Sequence, residues 1–325
     1  MSPSLSSLLP AVRDIVLRAS IAVQAIQDAP DFTVSSKGEA GPLTSADLMA
    51  DKIIRNDLVR LDPEAGLLSE ETGDDPARLE KSRVWIIDPI DGTREFVNRI
   101  PEYSVSVGLS VQGRPALGVV SMPARNLIVS GGPGLGLMLD YYELRPPGMP
   151  GPDENASRPE SLVELPGYGD FLELDGGANL PREETPRIVV RRERIHGRAP
   201  SEPGEPPLAL VSRSEKKKGK FEGMERDYRI SPGGSIARKL AQVALGEGDL
   251  NFSLYPKNEW DICGGIALVL SHPDYRVLDL ENFQPHEFNR RDTRSYGLVA
   301  GPGDLVEGFT EYYRRRKLKL EKRYD

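Results

Sequence analysis

Asp88 and Asp91 lie three residues apart in the stretch Val84-Trp85-Ile86-Ile87-Asp88-Pro89-Ile90-Asp91-Gly92-Thr93. The apolar run before them reads as a buried strand. Pro89 has no amide proton for a sheet ladder, and Gly92 reaches backbone angles closed to other residues. Carboxylates at a strand end cost desolvation energy unless positive charge lies between them, and a hard divalent cation satisfies carboxylates and a backbone carbonyl together. The turn is therefore expected to aim Asp88, the carbonyl of Ile90 and Asp91 at one point, with magnesium the natural occupant. The plain alternative is a strand that exits through an Asp-x-x-Asp-Gly turn and holds no ion.

Other acidic segments have the same character. Leu67-Leu68-Ser69-Glu70-Glu71-Thr72-Gly73 is a short apolar run ending in acid, and Asn258-Glu259-Trp260-Asp261-Ile262-Cys263-Gly264-Gly265 opens an apolar helix with acid in its first turn. An aspartate there also complements the helix dipole without any metal. Thr44-Ser45-Ala46-Asp47 fits a capping box, threonine capping the helix and the third-position acid reaching back. Lys37 stands seven residues before Thr44. In this order the segments resemble the lithium-sensitive, magnesium-dependent phosphatases of the inositol monophosphatase superfamily, over about residues 5–147 and again about 208–320. Arg94-Glu95-Phe96-Val97-Asn98 after the turn, followed by the stretch from Pro101 to Leu109, is most similar to the 3'(2'),5'-bisphosphate nucleotidase branch, which acts on adenosine 3',5'-bisphosphate.

The resemblance implies a mixed α/β fold, a layered αβαβα sandwich of the inositol monophosphatase and sugar phosphatase type. It also implies a site holding about two or three Mg2+ ions; in two-metal sites the ions lie about 3.5–4 Å apart. Asp88 would bridge two of them, Glu70 and the Ile90 carbonyl would complete the first, and Asp91 with Asp261 the second. Asp47 would touch a metal through water, Thr93 and Glu70 would orient the attacking water, and the amides of Gly92 and Thr93 would face the phosphate. Thr93 fits equally well as the cap of the next short helix. Glu71 reads as a neighbour of the site, and Lys37 as a screen for the acids or a solvated loop residue. Lithium inhibition is expected on the same ground.

On the substrate side, Ser212-Arg213-Ser214 resembles a segment of the bisphosphate nucleotidases that often continues with histidine, where this chain has Glu215. Arg213, Ser235, Lys239 and Lys257 are the expected substrate contacts, with Gly234-Ser235 and Lys239 at a helix start that could receive a remote phosphate. That start is also an ordinary helix opening. Three activities remain open: a 3'-nucleotidase, a phosphatase for inositol or another sugar phosphate, and a phosphate-binding protein without catalysis. Covalent chemistry has little material, since Cys263 falls in an apolar helix and His196, His272 and His286 lie in no nucleophile motif.

The elements around these residues are legible in outline. With 325 residues the chain can bury a full core, and 42 basic against 50 acidic residues, a net charge of -8, argue against bulk nucleic-acid binding. The expected partner is a small phosphorylated metabolite, with no nucleic acid and no membrane, and the reading admits a homodimer. A single cysteine forms no intrachain disulfide, and Arg13, Asp14 and Arg18 interrupt the N-terminal apolar positions, so residues 5 to 27 read as an amphipathic helix, unlike a signal peptide. No run reaches the roughly 18 apolar residues of a membrane span. A cytoplasmic enzyme is expected.

Helical patterns cover about 5–28, 45–61, 234–245 and 258–270, and strands about 103–112, 115–122, 126–131, 208–211, 228–230 and 295–300. The organisation expected is an N-terminal α+β half over 1–147 carrying most metal ligands, a Pro/Gly-rich, partly ordered insertion over 148–206, and a C-terminal α/β half over 207–325 carrying Asp261. The basic end, Arg314 to Arg323, reads as a solvated final helix.

Overall fold

The amphipathic N-terminus forms α1 (Leu5–Asp28), and α2 (Ser45–Leu61) follows under the Thr44 cap. Between them β1 (Val34–Ser36) and β2 (Pro42–Thr44) pair as a small hairpin. The structure, a computed structural model, describes residues 3–36, 38, 42–145, 160–163, 187–195 and 204–322. Lys37 and His196 lie outside the described residues.

An eight-stranded sheet comprises β3 (Gly66–Ser69), β4 (Arg83–Asp91), β5 (Ser104–Val111), β6 (Arg114–Met122), β7 (Leu127–Gly132), β8 (Gly136–Arg145), β9 (Glu160–Val163) and β10 (Arg187–Ile195), in the order β3-β4-β5-β6-β7-β8-β10-β9. Among the described residues of this sheet, the β3–β4 pair is parallel and the other pairs are antiparallel. A short α3 (Thr93–Val97) follows β4. The second sheet has five strands, β11 (Leu208–Ser212), β12 (Arg229–Gly233), β13 (Leu250–Asn258), β14 (Tyr275–Asp279) and β15 (Arg294–Pro302), ordered β12-β11-β13-β15-β14. Its helices are α4 (Arg213–Lys217), α5 (Ile236–Leu245), α6 (Glu259–Val269) and α7 (Gly303–Arg316).

Burial explains the layering. Successive side chains of a strand face opposite sides, so β4 sends Trp85 and Ile87 into one core and Val84 and Ile86 into another. The first core is closed by α1 and α2 through Val12, Val16 and Ile54, and the second by α5 and α6 through Leu240 and Ile266. A strand buried on both faces reads as a continuous apolar run, which is the pattern seen before Asp88. Beyond the five-stranded sheet, α7 packs Phe309 and Tyr312 against Phe252 and Val299. The result is an αβαβα sandwich.

Two features bear on the site. Glycines let α6 lie against the large sheet: a Cβ at Gly118 would stand 2.1 Å from the Gly264 carbonyl oxygen, and one at Gly108 would stand 2.6 Å from Cys263 Sγ. Within the segment expected to be an insertion, β10 pairs with residues 137–145 of β8, with Ile188 and Val190 joining the first core. Arg192 on β10 binds the Asp140 carboxylate at 2.7 and 3.0 Å, and Arg13 of α1 approaches the same group at 3.7 Å. The sheet therefore continues past residue 147. No helix among the described residues is long and apolar enough to cross a membrane.

Candidate active site

Where β4 ends, Asp88 is 1% exposed and neither carboxylate oxygen has a hydrogen-bond partner. Glu70 follows β3, its amide donating to the Ile87 carbonyl at 3.2 Å, and so stands beside the strand that carries Asp88. Asp261 comes from the first turn of α6. One oxygen of each of Glu70, Asp88 and Asp261 can be chosen so that all lie within 4.8 Å of one another. Burial, then the charges of Glu70, Asp91, Asp261 and Asp47, hold the Asp88 carboxyl well above the usual carboxylate range. Asp261 is pushed to about 8 by burial and by Asp91 and Glu70, partly offset by Lys257 and the Asn258 amide. A buried, unpartnered carboxylate is stable as an anion only opposite positive charge. This all-oxygen donor set fits a hard divalent cation.

The flanking residues fix that geometry. One Asp91 oxygen accepts from Ser235 Oγ and from the Ala237 amide, both at 2.7 Å, which ties the end of β4 to the start of α5. Asp47 completes the capping box expected of α2, accepting at Oδ2 from the Thr44 amide at 2.8 Å and hydroxyl at 2.6 Å. Its Oδ1 lies 3.3 Å from Thr93 Oγ1, so capping and proximity to the site coexist. The Thr93 hydroxyl also lies 3.0 Å from the Ile90 carbonyl. Thr93 is not the cap of α3: Gly92 occupies that position at φ 93°, where a Cβ would meet the Glu102 carbonyl at 3.1 Å and Tyr103 Cα at 3.3 Å. Asp261 caps its own helix by accepting from the Asn258 amide at 2.6 Å.

A cleft of about 540 Å³ opens beside Asp91 and Asp261, and Gly92, Arg213, Ser235, Lys239 and Lys257 all line it. The structure alters the roles expected of several. Lys239 is fully buried, which lowers its ammonium to about 8, and its donors go to the carbonyls of Gly233, Gly234 and Ser235 at 3.3, 3.1 and 2.7 Å. Instead of presenting charge to a ligand, it fastens the turn into α5. Arg213 likewise pairs with Glu95 at 3.0 Å and with Glu102. Ser235 caps α5 by accepting from the Arg238 amide at 3.0 Å while holding Asp91. Lys257 donates to the Pro256 carbonyl at 3.1 Å and stands 3.7 Å from Glu215.

Glu95 and Glu102 were not foreseen. Glu102 accepts from the Gly234 amide at 2.7 Å as well as from Arg213, so it joins the segment after α3 to the turn before α5. The only signal was opposite charge on two segments separated by more than a hundred residues. Glu215, at the position where the resembled segment often has histidine, is buried and accepts from Ser253 Oγ at 2.6 Å and the Leu254 amide at 2.8 Å, which holds β13. Burial raises the Cys263 thiol well above its ordinary value, and neither His272 nor His286 lines the cleft.

The model of the inositol monophosphatase family matches residues 7–164. The 3'(2'),5'-bisphosphate nucleotidase CysQ of Escherichia coli O157:H7 is 37% identical over 131 residues, 39% of this chain and 52% of that protein, so the match spans about half of the relative's length. The protein of the same name from Salmonella typhimurium is 35% identical over 270 residues, 81% of this chain and 87% of the relative. Among solved structures, CysQ from Bacteroides thetaiotaomicron, described as a bacterial member of the same family, superposes with a TM-score of 0.66 at 23% identity, covering 92% of this chain and 98% of that one.

Proposed function

This chain belongs to the inositol monophosphatase family, and we propose that it is a magnesium-dependent phosphomonoesterase that removes the 3'-phosphate of adenosine 3',5'-bisphosphate. The observation that carries the phosphatase reading is Asp88, a buried carboxylate with no hydrogen-bond partner, beside Glu70 and Asp261. Sequence likeness to proteins named bisphosphate nucleotidases supports the choice of substrate.

In this reading Glu70, Asp88, the Ile90 carbonyl, Asp91 and Asp261 hold the ions. Bound magnesium supplies charge neutralisation of the phosphoryl oxygens and acidifies a water. The chain's own groups do the positioning. Thr93, its hydroxyl placed between Asp47 and the Ile90 carbonyl, offers an acceptor lone pair to the attacking water. Glu70 accepts the other proton. The amides of Gly92 and Thr93 face the phosphate oxygens, and Ser235 keeps Asp91 in place through its 2.7 Å hydrogen bond. Attack in line forms the new P–O bond as the ester P–O bond breaks; the leaving alkoxide takes a proton from solvent water in the open cleft to become the sugar hydroxyl, and the proton held by Glu70 returns to the hydroxide so formed.

A second reading, a phosphatase for inositol or another sugar phosphate, is favoured by one feature. No aromatic side chain among the described residues lines the cleft, so a nucleobase would find no ring to stack on. Phosphate release decides between them, measured with magnesium and with chelator on adenosine 3',5'-bisphosphate and inositol 1-phosphate at equal concentration. Preference for the nucleotide is expected. Preference for inositol 1-phosphate would move the chain to the second reading, and release that is indifferent to chelator would remove the metal mechanism.

A further inference from the structure

Among the described residues, the cleft wall carries five cationic side chains, Arg94, Arg213, Lys217, Lys239 and Lys257. Three of them are already engaged. Arg213 is paired with two carboxylates, Lys239 donates to three carbonyls, and Lys257 lies between the Pro256 carbonyl and Glu215. For such a group to bind a ligand anion, an existing contact must break, and the partner left behind is then desolvated and unpaired.

Arg94 and Lys217 differ. Both are exposed, and neither side chain has a hydrogen bond or ion pair among the described residues. Arg94 is the second residue of α3, immediately after Thr93, and Lys217 is the last residue of α4. They therefore reach one cleft from two elements, and their long stems let the charged heads move to meet a ligand without dismantling the fold.

We propose that Arg94 and Lys217 form the substrate-selecting pair of this cleft, receiving a second anionic group carried by the substrate at a distance from the phosphate being hydrolysed. The proposal rests on the phosphatase reading above and deepens it, since it says which charges distinguish a bisphosphate from a monophosphate. The physical need is plain. The other cations of the cleft are already answered by carboxylates and carbonyls of the fold, so a second phosphate finds its counter-charge at Arg94 and Lys217. Because both cations are solvent-exposed, the preference they create weakens as salt rises.

The test compares kcat/KM for two substrate pairs, adenosine 3',5'-bisphosphate against 3'-AMP and inositol 1,4-bisphosphate against inositol 1-phosphate. Wild type is compared with Lys217→Gln, Arg94→Gln, the double variant and Arg213→Gln. Charge-assisted contacts of this kind predict that the bisphosphate-to-monophosphate ratio falls about tenfold in each single variant and further in the double, chiefly through KM. Arg213→Gln is expected to lower both members of a pair together, because it acts through the turn. A wild-type ratio in the double variant overturns the proposal, as does a ratio that falls only in Arg213→Gln. If wild type acts only on the inositol pair, the nucleotidase reading fails and the proposal stands or falls on the inositol ratio. Equal use of bisphosphate and monophosphate by wild type in both pairs overturns the proposal and leaves the phosphatase reading intact.

Discussion

At the scale of single residues, Asp88 sets the charge balance of the site. Its carboxylate is buried without a hydrogen-bond partner, and its neighbours Glu70, Asp91 and Asp261 all oppose its ionisation. Replacing it with asparagine removes an acid that folding forces to keep its proton when no metal is bound, and with it a proposed metal ligand. Asp88→Asn is therefore expected to raise the stability of metal-free protein by roughly 1–3 kcal/mol. It should also abolish the stabilisation that magnesium gives to wild type and lower magnesium-dependent turnover by several orders of magnitude. Thermal unfolding with magnesium and with EDTA measures the first two effects. A variant that still gains as much from magnesium as wild type would show that Asp88 is not a ligand. The substrate side follows the same logic in reverse: Arg213 and Lys239 look like anchors by charge, yet their charge is already answered within the fold.

Elements decide whether those side chains meet. Asp261 reaches Asp88 because α6 lies on β5 and β6 without a side chain between backbones at Gly118 and Gly264. A methyl at position 118 would stand 2.1 Å from a carbonyl oxygen, a contact no rotamer relieves. Gly118→Ala should thus cost on the order of 1–3 kcal/mol of stability in urea unfolding and weaken magnesium activation as Asp261 shifts outward. Gly308→Ala in α7, where nothing lies within 4 Å, serves as the control and should be neutral or slightly stabilising. Equal losses in both variants would mean that helix position does not govern the site. Much of this scale was legible beforehand. The expected helices at 5–28 and 45–61 are α1 and α2, and the acid-bearing end of β4 is readable because Asp88 and Asp91 are contiguous with the apolar run, although the strand runs on past Pro89 to Asp91 with an irregularity between the two acids. The strands β9 and β10 were hidden because Arg191, Arg192, Glu193 and Arg194 mask the alternation of Ile188 and Val190. The roles of Arg213 and Lys239 were hidden for another reason: Glu95 and Glu102, and the carbonyls before α5, meet them only once both sheets are assembled.

The whole molecule feels two opposed titrations. His286 is buried between Asp279, Ser295 and Arg290, and burial lowers it to about 4 although Asp279 pulls the other way. Above the ordinary histidine value of 6.5 the folded and unfolded chains both hold it neutral. As pH falls from 6.5 towards 4, the unfolded chain takes up a proton that the folded chain resists, and stability is lost. Asp261 runs the other way, from an ordinary 3.8 to about 8 when folded, and Asp88 shifts in the same direction. Without metal, the folded chain keeps protons in this window that the unfolded chain gives up, so stability drains away as pH rises from about 3.8 to about 8. In the proposed function, magnesium would take the place of those protons. Unfolding free energies of chelated protein should therefore decline towards pH 8, most steeply above about 6.5 where His286 no longer offsets the acids, while protein with magnesium should hold its stability there. His286→Gln should steepen the loss between about pH 4 and 6.5 and leave the decline above that range as it is. A magnesium effect of equal size at pH 5 and pH 8 would separate the buried acids from the metal, and an unchanged profile between about pH 4 and 6.5 in His286→Gln would remove His286 from the balance.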